Sequence, residues 1–216
     1  MKIEIGETRP GEFRESWPGQ YTIFSHFEFA AGIPQALFAI TTLKENGLTN
    51  VTFHSWSCFQ GGANGYYALL PGIAEGSHAY QNILRDNEFC LNFLSARYYD
   101  ALLATIRHNG MGDDELAAAG LSAENAQTIK PPRIRESFLC LECGLLSHQR
   151  IQPGDRCALF IGKVRHLAMD AAFANGLDRK YSPEGFMYNV HSPLNLHTGE
   201  CGESEAATLN VEQTRQ

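Results

Sequence analysis

Along the first third of the chain, apolar and polar positions follow the pattern of pleated sheet. "ALFAITTL" (36–43) and "LTNVTFHSW" (48–56) are β-branched and aromatic runs separated by Lys44-Glu45-Asn46-Gly47. An Asn-Gly pair between two such runs predicts a hairpin. "GYYALLPG" (65–72) predicts a third strand, ended by Pro71 and Gly72. The period then changes. In "SHAYQNILRDN", Tyr80, Ile83 and Leu84 fall at i, i+3 and i+4 on one helical face, with Ser77 placed as the N-cap. A strand, "EFCLNFLS" (88–95), and a second amphipathic helix, "RYYDALLATIRH" (97–108), follow; Asn109-Gly110 closes the helix. Residues 111–128 predict short helical turns and loop. Two long β segments, 137–151 and 156–170, are joined by the turn Gln152-Pro153-Gly154-Asp155.

The flanks are less regular. Residues 1–20 carry Pro10, Gly11, Pro18 and Gly19 and predict an irregular arm, after which the chain turns apolar and β-rich from Tyr21. Residues 171–216 predict an extension to a core of about 21–170, the whole forming one domain. Strands joined by hairpins, with two helices inserted, do not give the β-α alternation of a parallel sheet. They predict a mainly β fold: an antiparallel barrel with helices packed on it.

Composition narrows the partners. The 216 residues are 44% hydrophobic and 19% charged, with a formal charge of -7, which suits a soluble chain long enough to bury a real core. An acidic balance argues against nucleic acid or an anionic membrane as partner. No apolar run reaches membrane-spanning length, and the start "MKIEIGETRPGEF" lacks a signal-peptide core. Six cysteines, at 58, 90, 140, 143, 157 and 201, show no disulfide framework, so reduced thiols in the cytoplasm are expected.

Several motifs are absent: no G-x-G-x-x-G, no G-x-x-x-x-G-K-[ST], no G-x-S-x-G and no H-E-x-x-H. No metal site is expected. "CLEC" (140–143) is formally C-x-x-C, but it lies on a strand, where residues three apart face opposite ways. Two buried, diverging thiols are therefore expected. "NVTFHSWSCFQGG" (50–62) brings hydroxyls, an indole and a thiol together at a strand end, as a core wall or as the lining of a site. "EGSHAYQNI" (75–83) places a glycine before a Ser-capped helix, either a plain cap or an anion site built on free N–H groups and the helix dipole.

These segments, in this order, resemble the flavin reductase-like family of FMN-binding split barrels and its flavoredoxin-like branch. The likeness rests on "ALFAITTLKENGLTNVTFHSWS", "GSHAYQNILRDNEFCLNFLS", "IKPPRIRESFLCLECGLL" and "LFIGKVRHLAMD", from about Pro34 to Asp170, with "GFMYNVHSPLNLHTGE" as a similar tail. It implies a six-stranded antiparallel split β-barrel that forms a homodimer. It implies FMN held at the isoalloxazine by His54, Ser55, Trp56, Ser57 and Cys58, and at the phosphate by Ser77 and His78. Relatives often carry Thr where this chain has Ala79, a basic residue near Ser77, and a proline pair where this chain has "GGANG".

The implied activity is transfer of electrons from NADH or NADPH through FMN to free flavin, ferric iron or a redox partner protein. No catalytic residue is singled out. Tyr188 and Phe186 are candidates to cover the flavin face, with core packing as the alternative. The competing readings are a non-enzymatic FMN electron carrier and a barrel that has lost flavin.

Overall fold

The computed structural model describes residues 1–202 and 206–208, with backbone only for Leu177 and Asp178. Residues 203–205 and 209–216 of the expected extension lie outside the described residues. The described chain divides into two compact units: residues 1–35 with 188–202, 206 and 207, and residues 36–187 with 208.

The larger unit is built on one antiparallel sheet of seven strands: β1 (Phe38–Leu43), β2 (Thr49–His54), β3 (Cys58–Gly62), β4 (Gly65–Ala74), β5 (Glu88–Phe93), β6 (Leu139–Arg150) and β7 (Cys157–Met169). Their spatial order is β2-β1-β5-β6-β7-β4-β3. The Asn-Gly hairpin forms with Phe38 opposite His54 and Leu43 opposite Thr49. The sequence predicted six strands. The seventh is β3, whose glycines read as loop but pair with β4 from Cys58↔Leu69 to Gly62↔Gly65.

The sheet order shows how the barrel closes. β2 and β3 are the two edges, yet only residues 55–57 connect them. A chain that short spans at most roughly 14 Å from His54 to Cys58. The sheet must therefore curl until its edges meet, and 54–58 stitches the split. Phe38, Ile40, Leu70, Phe89, Leu91 and Phe160 fill the interior. The ring of Phe59 from β3 lies 6.2 Å from Phe38 and 5.9 Å from Phe93.

The helix His78–Asp86 packs on the barrel with Ala79, Asn82 and Ile83 buried, and it ends where Asn87 turns left-handed at φ 56°. Asn82 donates to Thr42 Oγ1 at 3.0 Å. The helix Tyr99–Arg107 covers β2. Two buried charges then fasten the connecting loops. Lys44 is fully enclosed: its Nζ donates to the carbonyls of Gly110 (2.6 Å) and Asp113 (2.8 Å) and lies 2.9 Å from Glu115 Oε1. Glu142, on β6, accepts from Gln127 N (2.9 Å), Thr128 N (2.6 Å), Thr128 Oγ1 (2.6 Å) and Arg133 Nε (2.8 Å). Burial pushes its acidity weaker, but these four donors outweigh that and hold its pKa at about 2.

The C-x-x-C pair diverges as the strand period requires. Cys140 is buried with Cys90 and Ile129 on one face, and Cys143 joins the barrel core on the other. All six cysteines are free. Burial pushes the Cys143 thiol up to about 12, which leaves it chemically inert.

The smaller unit departs from the β-rich reading of residues after Tyr21. Two short helices, Gln20–Ile23 and His26–Ala31, form there instead. Ser25 caps the second, accepting from Phe27 N, and Gly32 ends it at φ 55°. Phe13, Phe29 and Leu194 form the unit's core, with Tyr21 and Phe24 packed against them.

Candidate functional site at the barrel seam

His54 ends β2 and is 8% exposed. Its ring meets Phe38 at 5.7 Å and Trp56 at 6.0 Å, both edge to face. Burial, only partly offset by the nearby carbonyls of Trp56 and Pro71, lowers its pKa to about 4, so the imidazole is neutral at pH 7. Its Nε2 is buried and has no hydrogen-bond partner among the described residues. A buried polar atom left so is rare and calls for a partner.

Residues 55–57 leave the sheet ladder to cross the seam. Ser55 is buried, and Ser57 Oγ donates to its carbonyl at 3.2 Å. The indole of Trp56 lies against Gly72 of β4, where a Cβ would fall 2.4 Å from Trp56 Cε3. Cys58, the first residue of β3, is exposed.

The anion end behaves differently from the expectation in one respect. The Ser77 hydroxyl is already committed: it donates to Ala74 O at 2.7 Å and accepts from Tyr80 N at 3.2 Å. What the first turn still offers is the backbone of His78 and Ala79 and the helix dipole. The Ala79 side chain is wholly buried, so a missing hydroxyl there does not alter the outward face. His78 Nδ1 is buried without a hydrogen-bond partner among the described residues.

A basic residue from far along the chain pairs with Glu75. Arg150, on β6, pairs with Glu75 through Nη2 at 2.6 Å and Nε at 2.7 Å, two residues before Ser77. Glu75 N in turn donates to Arg156 O at 2.9 Å.

Sequence reasoning missed Gly72, Glu75 and Arg150. The Pro71-Gly72 break inside a strand was the available signal for the first. Phe186 is half-buried and packs against Phe93 (5.5 Å) and Phe138 (5.0 Å) at the margin of the barrel core. Among the described residues no group of His, Cys, Asp and Glu is arranged to hold a metal ion.

Residues 31–196 match the family model described as flavin reductase like domain. The chain belongs to the flavin reductase-like family. Curated relatives include a Bacillus subtilis protein, YdfE, 25% identical over 188 residues (78% of this chain, 87% of that one). A match to an Aquifex aeolicus protein, 23% identical, covers 54% of this chain and 61% of that relative, so the chain spans under two thirds of its length.

Solved structures agree on the fold. A Shewanella frigidimarina protein with a split barrel domain superposes with TM-score 0.70 at 20% identity, over 89% of this chain and 90% of that one. Flavoredoxin of Desulfovibrio vulgaris gives 0.67 at 15%, over 84% and 90%. An FMN-binding protein from Thermus thermophilus gives 0.66 at 16%, over 98% and 100%. The fold of this flavin reductase-like chain is the mainly β split barrel, and its function is flavin-related. No described helix is long and apolar enough to cross a membrane.

Proposed function

We propose that this chain is an FMN-dependent oxidoreductase that draws electrons from NADH or NADPH and passes them to free flavin, ferric iron or a redox partner protein. The observation that carries the reading is the orphaned Nε2 of His54, buried at the seam beside a tryptophan pinned to a glycine. A flat heteroaromatic ring with nitrogens and carbonyls answers that atom. When bound, FMN supplies the hydride and electron chemistry.

The chain's own residues bind and orient. Neutral His54 offers one hydrogen bond to the ring system. It is no proton source at neutral pH, because burial keeps it unprotonated. Trp56 provides a rigid wall, and the small residues Ser55, Ser57 and Cys58 let the flavin edge approach the backbone. The phosphate belongs at the first turn of the helix His78–Asp86, where Ser77 holds the N-terminus in shape and His78 stands beside it. Arg150 keeps Glu75 neutralised, so that this carboxylate does not repel the anion.

The protein acts as a homodimer in the cytoplasm in this reading; six free cysteines support a reducing compartment. Neither nucleic acid nor a membrane is a partner. The test is an absorbance spectrum of the purified protein, repeated after anaerobic NADH or NADPH. Flavin bands that bleach support the enzyme. Bands that persist favour a carrier without a nicotinamide site. Colourless protein that ignores added FMN refutes flavin binding altogether.

A further inference from the structure

The smaller unit contains a cavity of about 340 Å³. Trp17, Phe24 and Phe29 form its apolar wall, and Asn189, His191 and Ser192 its polar one. Trp17 and Phe24 meet edge to face at 6.1 Å, as do Phe24 and Phe29. Phe29 is edge-on to the His191 ring at 6.4 Å.

His191 is 7% exposed, and its Nε2 is buried without a hydrogen-bond partner among the described residues. Its Nδ1 faces Glu28 Oε2 at 3.9 Å, and that oxygen is buried and unpartnered as well. The orphaned Nε2 of a cavity-wall residue, with a second orphaned atom behind its ring, bears a desolvation penalty that a ligand or solvent can relieve. The backbone adds to the cost. His191 and Ser192 both stand in the left-handed region, at φ 51° and 45°, without being glycine. The His191 N–H is tied to Asn189 Oδ1 at 2.8 Å, which fixes the ring's root.

The chemistry of the occupant follows from these groups. Burial lowers the His191 pKa and raises that of Glu28, so the ring is neutral. The carboxyl facing Nδ1 favours the tautomer with its proton there, leaving a lone pair on Nε2. A ligand must therefore bring a donor. No Lys or Arg among the described residues lines the cavity, and Glu28 stands nearby, so an anion is disfavoured. The volume is at the small end of the roughly 300–1,000 Å³ found for ligand pockets, which suits one or two fused rings.

We propose that this cavity binds a small neutral aromatic molecule bearing an N–H or O–H group, which donates to His191 Nε2 while its ring packs among Trp17, Phe24 and Phe29. The site stands apart from the flavin reading and does not depend on it.

The probes are indole, 3-methylindole and 1-methylindole, titrated by calorimetry into the full chain as purified and again after addition of excess FMN. The first two have the N–H, and the third matches the second in size but lacks it. Indole and 3-methylindole are expected to saturate one site, with 1-methylindole at least tenfold weaker. His191→Phe is expected to weaken indole about tenfold and erase the difference among probes. Phe24→Ala is expected to weaken all three in parallel.

Equal binding of the three probes, no saturable binding, or a crystal soaked in indole that shows only a water between His191 and Glu28 overturns the proposal. If His191→Phe does not fold, the comparison of probes on the unaltered protein decides alone. Ser77→Asp protein keeps its indole site whether or not it has lost FMN, so failure of one reading is distinguishable from failure of the other.

Discussion

Gly72 and Trp56, sixteen residues apart, form one contact across the barrel seam: the indole lies where the side chain of any other residue would begin. Gly72 also stands at φ 84°, so sterics and backbone both demand glycine. Gly72→Ala is expected to cost roughly 1–3 kcal/mol and to displace Trp56. Thermal unfolding and FMN titration check this together. A variant with unchanged melting and unchanged FMN affinity would show that the indole wall is not a working part of the site.

At the other end of the candidate site, Ser77→Asp separates capping from binding. Aspartate caps a helix as well as serine does, so stability is expected to stay within about 0.5 kcal/mol. The added charge stands where the phosphate belongs, and FMN affinity is expected to fall at least tenfold, about 1.4 kcal/mol. Equal affinity removes the phosphate from this helix.

His54 makes acid sensitivity predictable in sign. Its folded pKa of about 4 lies below the 6.5 of the free side chain. The unfolded chain therefore binds the extra proton first, and stability falls as pH drops from about 6.5 to about 4. The full loss approaches about 3 kcal/mol. Urea midpoints measured across that window should decline in the native protein and flatten in His54→Gln. Parallel curves for the two would mean that His54 titrates normally.

Glu142 governs a lower window. Its folded pKa of about 2 lies below the ordinary 4.5, so its contribution is complete above 4.5 and disappears as pH falls toward 2. That contribution is about 3 kcal/mol. Glu142→Gln should lower the urea midpoint at pH 7 and abolish the decline below pH 4.5. A variant as stable as the native chain at pH 7 would deny the carboxylate its role in holding the 127–133 loop.

Much of the barrel was legible because its signals are local. The Asn46-Gly47 turn and the Ser77 cap each specify structure from a few neighbouring residues, and both appear as read. β3 was missed because Gly61 and Gly62 carry no strand preference; the strand exists through its pairing with β4. The helix His26–Ala31 was read as sheet because Tyr21, Phe24, Phe27 and Phe29 favour strands. Yet Ser25 followed by Glu28 is the spacing of a capping box, and it was the cue to heed.

The candidate site divides along the same line. His54 to Cys58 and Ser77 lie in short, quotable segments. Arg150 does not, since it reaches Glu75 only through the β7–β4 register that sets Cys157 opposite Ala74. Contacts of that kind belong to the closed sheet, and no local pattern announces them.

Lys44 has a practical consequence of its own. With its ammonium enclosed by two carbonyls and a carboxylate, amine-directed reagents can reach it only when the 110–115 loop lifts away. Its labelling rate, followed by peptide mass mapping, is thus a clock for that opening. The exposed amine of Lys2 in the same sample sets the unhindered pace.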